Sequence, residues 1–286
     1  MRKRVQFLAL LLLMVLALVP AMASATEDWG KMKWEYVLRA HFDDPPSRYR
    51  MKVKDIGAQA NRLRELFPEL GAAAADERLV RQPLPKGAEG WFAIPRWEII
   101  GNTYGEAVDK VLTKTREIHD GKFFNFRDSE GGTKITLPFD PDRLRRHPLT
   151  AEMLQRLGDQ QKGYDILVVP AQLGLLHSGR SIQQAHKSFA ANEFGLGTFE
   201  AGIILLTHPE RLSHRGLWVD CAGDEFSHCG PAFSDPPKEL VLADFWYRTF
   251  ECTPHFKMFM DQVRFSTDKE QNVSRRHASV SAFLPQ

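Results

Sequence analysis

Cysteine is nearly absent: the 286 residues contain three, Cys221, Cys229 and Cys252. So few thiols exclude a disulfide framework as the source of stability, and a hydrophobic core must carry the fold. An excess of charge of one sign is also missing, with 38 Lys and Arg against 36 Asp and Glu and a net charge of +2. A chain this close to neutral has no general electrostatic reason to bind nucleic acid or an anionic membrane. After the first 25 residues no run is long and apolar enough to span a bilayer, so no stable membrane insertion of the mature chain is expected.

What the sequence does have begins with its N-terminus. Arg2, Lys3 and Arg4 precede an apolar run from Phe7 to Val19, then Pro20 and the small residues Ala21, Ala23 and Ala25. This is the pattern of a cleavable signal peptide over residues 1–25, and it predicts export to the periplasm or beyond the cell. The alternative is an uncleaved N-terminal anchor. Cleavage removes three basic residues, leaving 35 against 36 acidic ones and a mature charge of about −1. An exported chain can also form a disulfide. Cys221 with Cys229 would close a short acidic loop, and either with Cys252 would tie that loop to the strand that follows.

Periodicity supplies the elements. Trp34, Tyr36, Leu38, Ala40 and Phe42 alternate as in a strand, and Ile56, Ala60, Leu63 and Phe67 recur at helical spacing after Asp55. Trp91 to Ile100 reads as a strand, which Pro95 places at an edge or a bulge. Thr103 and Glu106 form a capping box ahead of an apolar stripe (Ala107, Val108, Val111, Leu112, Thr115) that stops at Gly121. A short strand at 123–126, a surface excursion over 127–148, a helix over 150–163 and a strand at Ile166 to Val169 follow. Ile203 to Leu206 fits a helix or a buried strand, and the strand is preferred here. A strand over 240–252, a charged, mobile-looking segment over 261–277 and a last strand through Val280, Ala282 and Leu284 complete the chain. Mixed strands and helices in this order predict a single α/β or α+β domain over 26–286 with a mixed sheet flanked by helices. A division into an N-terminal subdomain, 26–148, and a core, 149–286, is the alternative.

Two loops hold most of the residues able to do chemistry. Gly174-Leu-Leu-His-Ser-Gly-Arg-Ser181 follows a strand and opens a helix whose Ser181 and Gln184 make another capping box. Its spacing matches a phosphate-binding loop, with Arg180 where that motif wants lysine. Free amides at a helix start and a nearby cation favour an anion, so His177, Gly179, Arg180 and Ser181 are the candidate binding residues for a small anionic ligand. An ordinary capped turn is the competing reading.

The second loop, Asp220-Cys-Ala-Gly-Asp-Glu-Phe-Ser-His-Cys229, follows a short strand from Leu217. Asp220, Asp224 and Glu225 are the candidate catalytic carboxylates, and with His228 they could ligate a divalent metal. A solvated acidic turn competes with this. A thiolate pair of Cys221 with His177 competes with a disulfide or a buried thiol. His186 shares a helical face with Ile182 and Phe189 and reads as a core or boundary residue, and His208 before Pro209 as a turn residue.

Several stretches resemble a group of uncharacterised bacterial proteins: Val168-Val-Pro-Ala-Gln172, His177 with Gly179-Arg-Ser181, Ala191-Asn-Glu-Phe-Gly-Leu-Gly197, Leu205-Leu-Thr-His-Pro-Glu-Arg-Leu212, Asp220-Cys-Ala-Gly-Asp-Glu-Phe226 and Phe283-Leu-Pro-Gln286. The resemblance covers Trp91 to the C-terminus and brings no activity with it. The residues themselves predict an exported protein with an anion-binding, metal-assisted hydrolase site between loops 174–181 and 220–229. The alternatives are a non-catalytic binding or structural protein of the cell envelope, with its partner surface on exposed aromatic strands, and a nucleotide binder of the phosphate-loop kind.

Overall fold

The structure, a computed structural model, describes residues 51–125, 143–213, 217–226, 252–259, 262–271 and 276–285. The leader, the strand expected over 34–42, nearly all of the strand expected over 240–252, His228 and Cys229 lie outside these residues. Among the described residues no helix is long and apolar enough to cross a membrane.

The most apolar strand sits where both its faces are covered. Strand β4, Ile166–Gln172, is buried at every position, as a continuous apolar run requires. Strand β1, Gly90–Pro95, pairs with it antiparallel, Phe92 opposite Val169 and Ile94 opposite Leu167. On the other side lies β10, Ser281–Phe283, and beyond it β5, Glu193–Gly195, in the order β1-β4-β10-β5. Pro95, which has no N–H to offer a ladder, stands at the end of an edge strand, as its chemistry demands. The chain then turns into the short helix α2, Trp97–Ile100. Because β1 and β4 are neighbours, residues on both sides of position 148 share this sheet.

Helices pack against it. Helix α1, Ile56–Leu66, is capped by the Asp55 carboxylate, which accepts from the Ala58 amide. Helix α3, Tyr104–Ile118, starts at Thr103, whose hydroxyl accepts from the Glu106 amide, and buries Ala107, Val108, Val111, Leu112 and Thr115 on one face. Helix α4, Pro148–Gln160, turns Leu154 and Leu157 inward. Helix α5, Ile182–Ser188, starts with the expected capping box of Ser181 and Gln184.

Helix α6, Thr198–Thr207, corrects the strand expected over 203–206. All ten of its residues are buried, and a helix covered on every side carries no amphipathic period by which to recognise it. It lies so close to α3 that a Cβ on Gly202 would come within 2.4 Å of Val111 Cγ1. Helix α7, Glu210–Ser213, follows. Its Arg211 is fully buried and donates to the carbonyls of Leu173, Leu217 and Trp218, tying the end of β4 to the next strand.

A second sheet has the order β2-β9-β8-β7-β3, with β6 also on β8. Its strands are β2, Phe123–Asn125, β3, Leu144–Arg146, β6, Val219–Asp220, β7, Asp224–Phe226, β8, Cys252–Phe259, and β9, Gln262–Lys269. Only β2 and β9 run parallel among these pairs. Strand β9 corrects the expectation of a charged, mobile segment there. Val263, Phe265 and Thr267 are buried while Arg264 and Ser266 are half-buried, a period of two that the surrounding charges obscure. Two largely antiparallel sheets with packed helices make a single α+β fold.

Candidate functional site

Gln172, at the end of β4, organises the first loop from within. Its buried amide oxygen accepts from the Gly174 amide at 2.7 Å, and its Nε2 donates to the Ser279 carbonyl and the Ser281 hydroxyl, each at 2.8 Å. Gly174 has φ +107°, and a Cβ there would fall 2.5 Å from that of Ala278, so only glycine lets the C-terminal segment approach.

Most of the loop's backbone donors are already engaged. The Gly179 amide donates to the His277 carbonyl at 2.8 Å and that of Gln183 to Glu270 at 3.3 Å. The Ser181 and Gln184 amides are taken by the capping box. An incoming phosphate would have to displace these bonds. Gly179 and Arg180 are exposed, whereas His177 and Ser181 are buried.

The acidic loop proves to be strand β7 and its approach. Neighbouring residues on a strand face opposite ways, so Asp224 and Glu225 diverge. Glu225 forms an ion pair with Arg145 across the β7–β3 ladder. Asp224 is buried, accepting the Tyr104 hydroxyl at 2.8 Å and the Thr198 amide at 2.6 Å. Burial first, and then the nearby Glu200 carboxylate, push its pKa up to about 6 against the pull of the Thr198 amide and Arg146.

Glu200 in turn pairs with Arg146, whose guanidinium lies 4.3 Å over the Tyr104 ring. A Cβ on Gly197 would fall 2.5 Å from Asp224 Oδ1 and 2.6 Å from the Tyr104 oxygen. This cluster is therefore a packed polar core at the start of α6.

Asp220 faces a third set of partners. Its Oδ2 accepts from His277 Nδ1 at 3.0 Å and from the Ala278 amide at 2.8 Å. Ser178 bridges Ala278 and Asp220 bridges Ser279, so the segment 277–279 runs between the two loops expected to face each other.

Among the described residues no three His, Cys, Asp or Glu side chains form a group suited to a metal ion. Cys221 is a free, buried thiol, which rules out the pairings of Cys221 with Cys229 and with Cys252 among those left open. Burial, then Asp224 and Asp220, push its pKa well above that of an ordinary thiol, which leaves it protonated and inert.

His177 is the one predicted binding residue with a chemical outlet. Its Nε2 lies 2.6 Å from Glu193 Oε1, both side chains being 2% exposed. Its Nδ1 lies 3.3 Å from the hydroxyl of Ser188, an exposed residue at the end of α5. The chain of contacts continues inward, because the Ser281 hydroxyl donates to the same Glu193 oxygen and is itself held by Gln172.

Burial raises the pKa of Glu193, but the bonds from His177, Ser281 and the Ala190 amide outweigh it and hold the carboxyl below its usual range. Phe189 packs on the His177 ring at 5.0 Å and on His186 at 5.2 Å. His186 is a boundary residue, as expected, bonded at 2.7 Å to the Ala222 carbonyl, and burial lowers its pKa. His208, expected in a turn, is the buried cap at the end of α6.

Glu193, Ser188, Ser281 and Gln172 escape sequence reasoning as site residues. Gln172 and Glu193 do lie in stretches singled out in the sequence, Val168–Gln172 and Ala191–Gly197, but without a role attached to either residue. An open polar cleft of about 580 Å³ lined by Arg96, Asp159, Lys162 and Asp165 lies elsewhere, and no residue of either loop lines it. Comparisons with protein-family models, curated proteins and solved structures found no match.

Proposed function

We propose that this chain is an exported hydrolase whose general base is His177, positioned by Glu193. The signal-peptide pattern at the N-terminus supports export, and outside the cytoplasm water is the available second substrate. The observation that carries the chemistry is the buried 2.6 Å pair of His177 Nε2 with Glu193 Oε1, with Nδ1 aimed at a surface hydroxyl. Glu193, held ionised, accepts the Nε2 proton and so selects the tautomer whose Nδ1 lone pair faces outward; this tautomer is assigned from the hydrogen-bond network. A base oriented in this way typically contributes 10²- to 10⁴-fold to a rate.

This reading keeps hydrolysis and His177 but relocates the machinery from the acidic loop. A small anionic ligand would now meet Arg180 alone among the four residues first assigned to it, since most of the loop amides are engaged. The rival reading, a binding or structural protein of the cell envelope, is favoured by that same closure of the loop amides.

Turnover of a panel of carboxylic esters, amides and phosphoesters separates the two. The hydrolase reading expects at least one class to be cleaved, with His177→Asn slower by about 10²-fold or more. No turnover of any class above that of His177→Asn would contradict it.

A further inference from the structure

We propose that Ser188 is the covalent nucleophile of this site and that its substrates are small, uncharged carboxylic esters; this rests on His177 acting as a base. The Ser188 oxygen, 3.3 Å from His177 Nδ1, occupies the position an attacking water would need. The contact is slightly long for a hydrogen bond, as is common before a substrate binds. The same hydroxyl also lies 2.8 Å from the Ala185 carbonyl, and a rotation about Cβ–Oγ turns its proton from that carbonyl toward Nδ1.

With Glu193 behind the imidazole, the order is hydroxyl, histidine and carboxylate. That is the arrangement by which a weak nucleophile is activated and the base kept in its correct tautomer. Ser188 ends α5 and is exposed among the described residues, which leaves its hydroxyl open to an acyl group from solvent.

In the first step the Ser188 oxygen bonds to the ester carbonyl carbon while its proton passes to His177 Nδ1. The bond to the leaving alkoxide then breaks, and that proton leaves with it as the alcohol. Water, deprotonated by the same nitrogen, attacks the acyl-serine, releasing the acid and restoring the hydroxyl. Atoms and charge balance with water alone, and Glu193 stays ionised throughout as a positioning residue.

The substrate class follows from the surroundings. Phe189, tilted against the His177 ring and edge-on to His186, puts aromatic surface beside the relay, which suits an uncharged acyl group better than an anionic one.

The test uses the full mature chain, a fluorophosphonate probe and a p-nitrophenyl ester of a short acid, with wild type, Ser188→Ala and His177→Asn compared. Alanine at an exposed helix end is well tolerated, and circular dichroism verifies the fold. The proposal expects one adduct, mapped to Ser188, and turnover in Ser188→Ala lower by roughly 10³-fold.

Wild-type turnover in Ser188→Ala, with His177→Asn slow, would overturn the proposal and leave His177 activating water directly. An adduct on another residue would overturn it too. A wild type that neither cleaves the ester nor takes the probe would overturn this proposal, and the hydrolase reading falls with it only if amides and phosphoesters are left uncleaved as well.

Discussion

Two buried histidine–carboxylate pairs, one of them set in the C-terminal segment itself, differ in their surroundings. His177 meets Glu193 through Nε2 at 2.6 Å, and its other nitrogen looks out at an exposed serine. His277 meets Asp220 through Nδ1 at 3.0 Å, and its ring is closed in by Trp218, 4.8 Å away, and by His255. Asp220 also accepts the Ala278 amide, so the second pair fastens the backbone of 277–279 against the end of β6. A histidine and a carboxylate can be a catalytic base or a staple. The His177 ring turns its second nitrogen to the exposed Ser188, whereas the His277 ring packs against Trp218 and His255.

The largest effect that would break this contrast is on stability. Asp220→Ala leaves His277 and the Ala278 amide buried without their acceptor, and we expect a loss of about 3–5 kcal/mol in urea unfolding. Glu193→Gln keeps an oxygen in place and should cost less stability while slowing turnover. Equal stability losses in the two variants would erase the distinction.

A third carboxylate sharpens it through pH. Asp224 has its pKa raised from the ordinary 3.8 to about 6. A carboxyl whose folded value is raised favours the fold below the unfolded value, and that contribution is lost as pH rises through the folded one. Stability should therefore fall between about pH 4 and pH 6, by roughly 3 kcal/mol at most. Asp224→Asn should flatten this part of the curve of midpoint against pH. An unchanged slope in that variant would remove Asp224 as its cause.

The smallest effect belongs to Arg180. Its side chain is exposed and most of its loop amides are engaged, so Arg180→Ala should change stability by less than about 0.5 kcal/mol and leave ester turnover unaltered. Loss of phosphate binding in that variant, seen as a vanished thermal shift, would restore the anion site first expected there.

Local signals were legible in the sequence and long-range ones were not. The Thr103 cap and the stripe through Val108, Val111 and Leu112 marked α3, and the Ser181–Gln184 box marked α5, because both signals lie within one or two helical turns. Helix α6 left no such mark, since burial on all sides removes the alternation that sequence reading depends on. Asp224 and Glu225 looked like neighbours in one acidic loop, and only a three-residue strand reveals that they point apart. Glu193 meets His177 across 16 residues of loop and helix, and another partner, Ser281, comes from 88 residues further along the chain. No local pattern announces such a pairing.

The central claim is that the His177 pair is a working site and the His277 pair a fastening. The most direct measurement is ester turnover and unfolding free energy side by side for His177→Asn and His277→Asn. The account predicts that His177→Asn loses turnover by about 10²-fold or more while keeping most of its stability. His277→Asn should lose stability, with turnover per folded molecule retained. Equal losses of both quantities in both variants would contradict it.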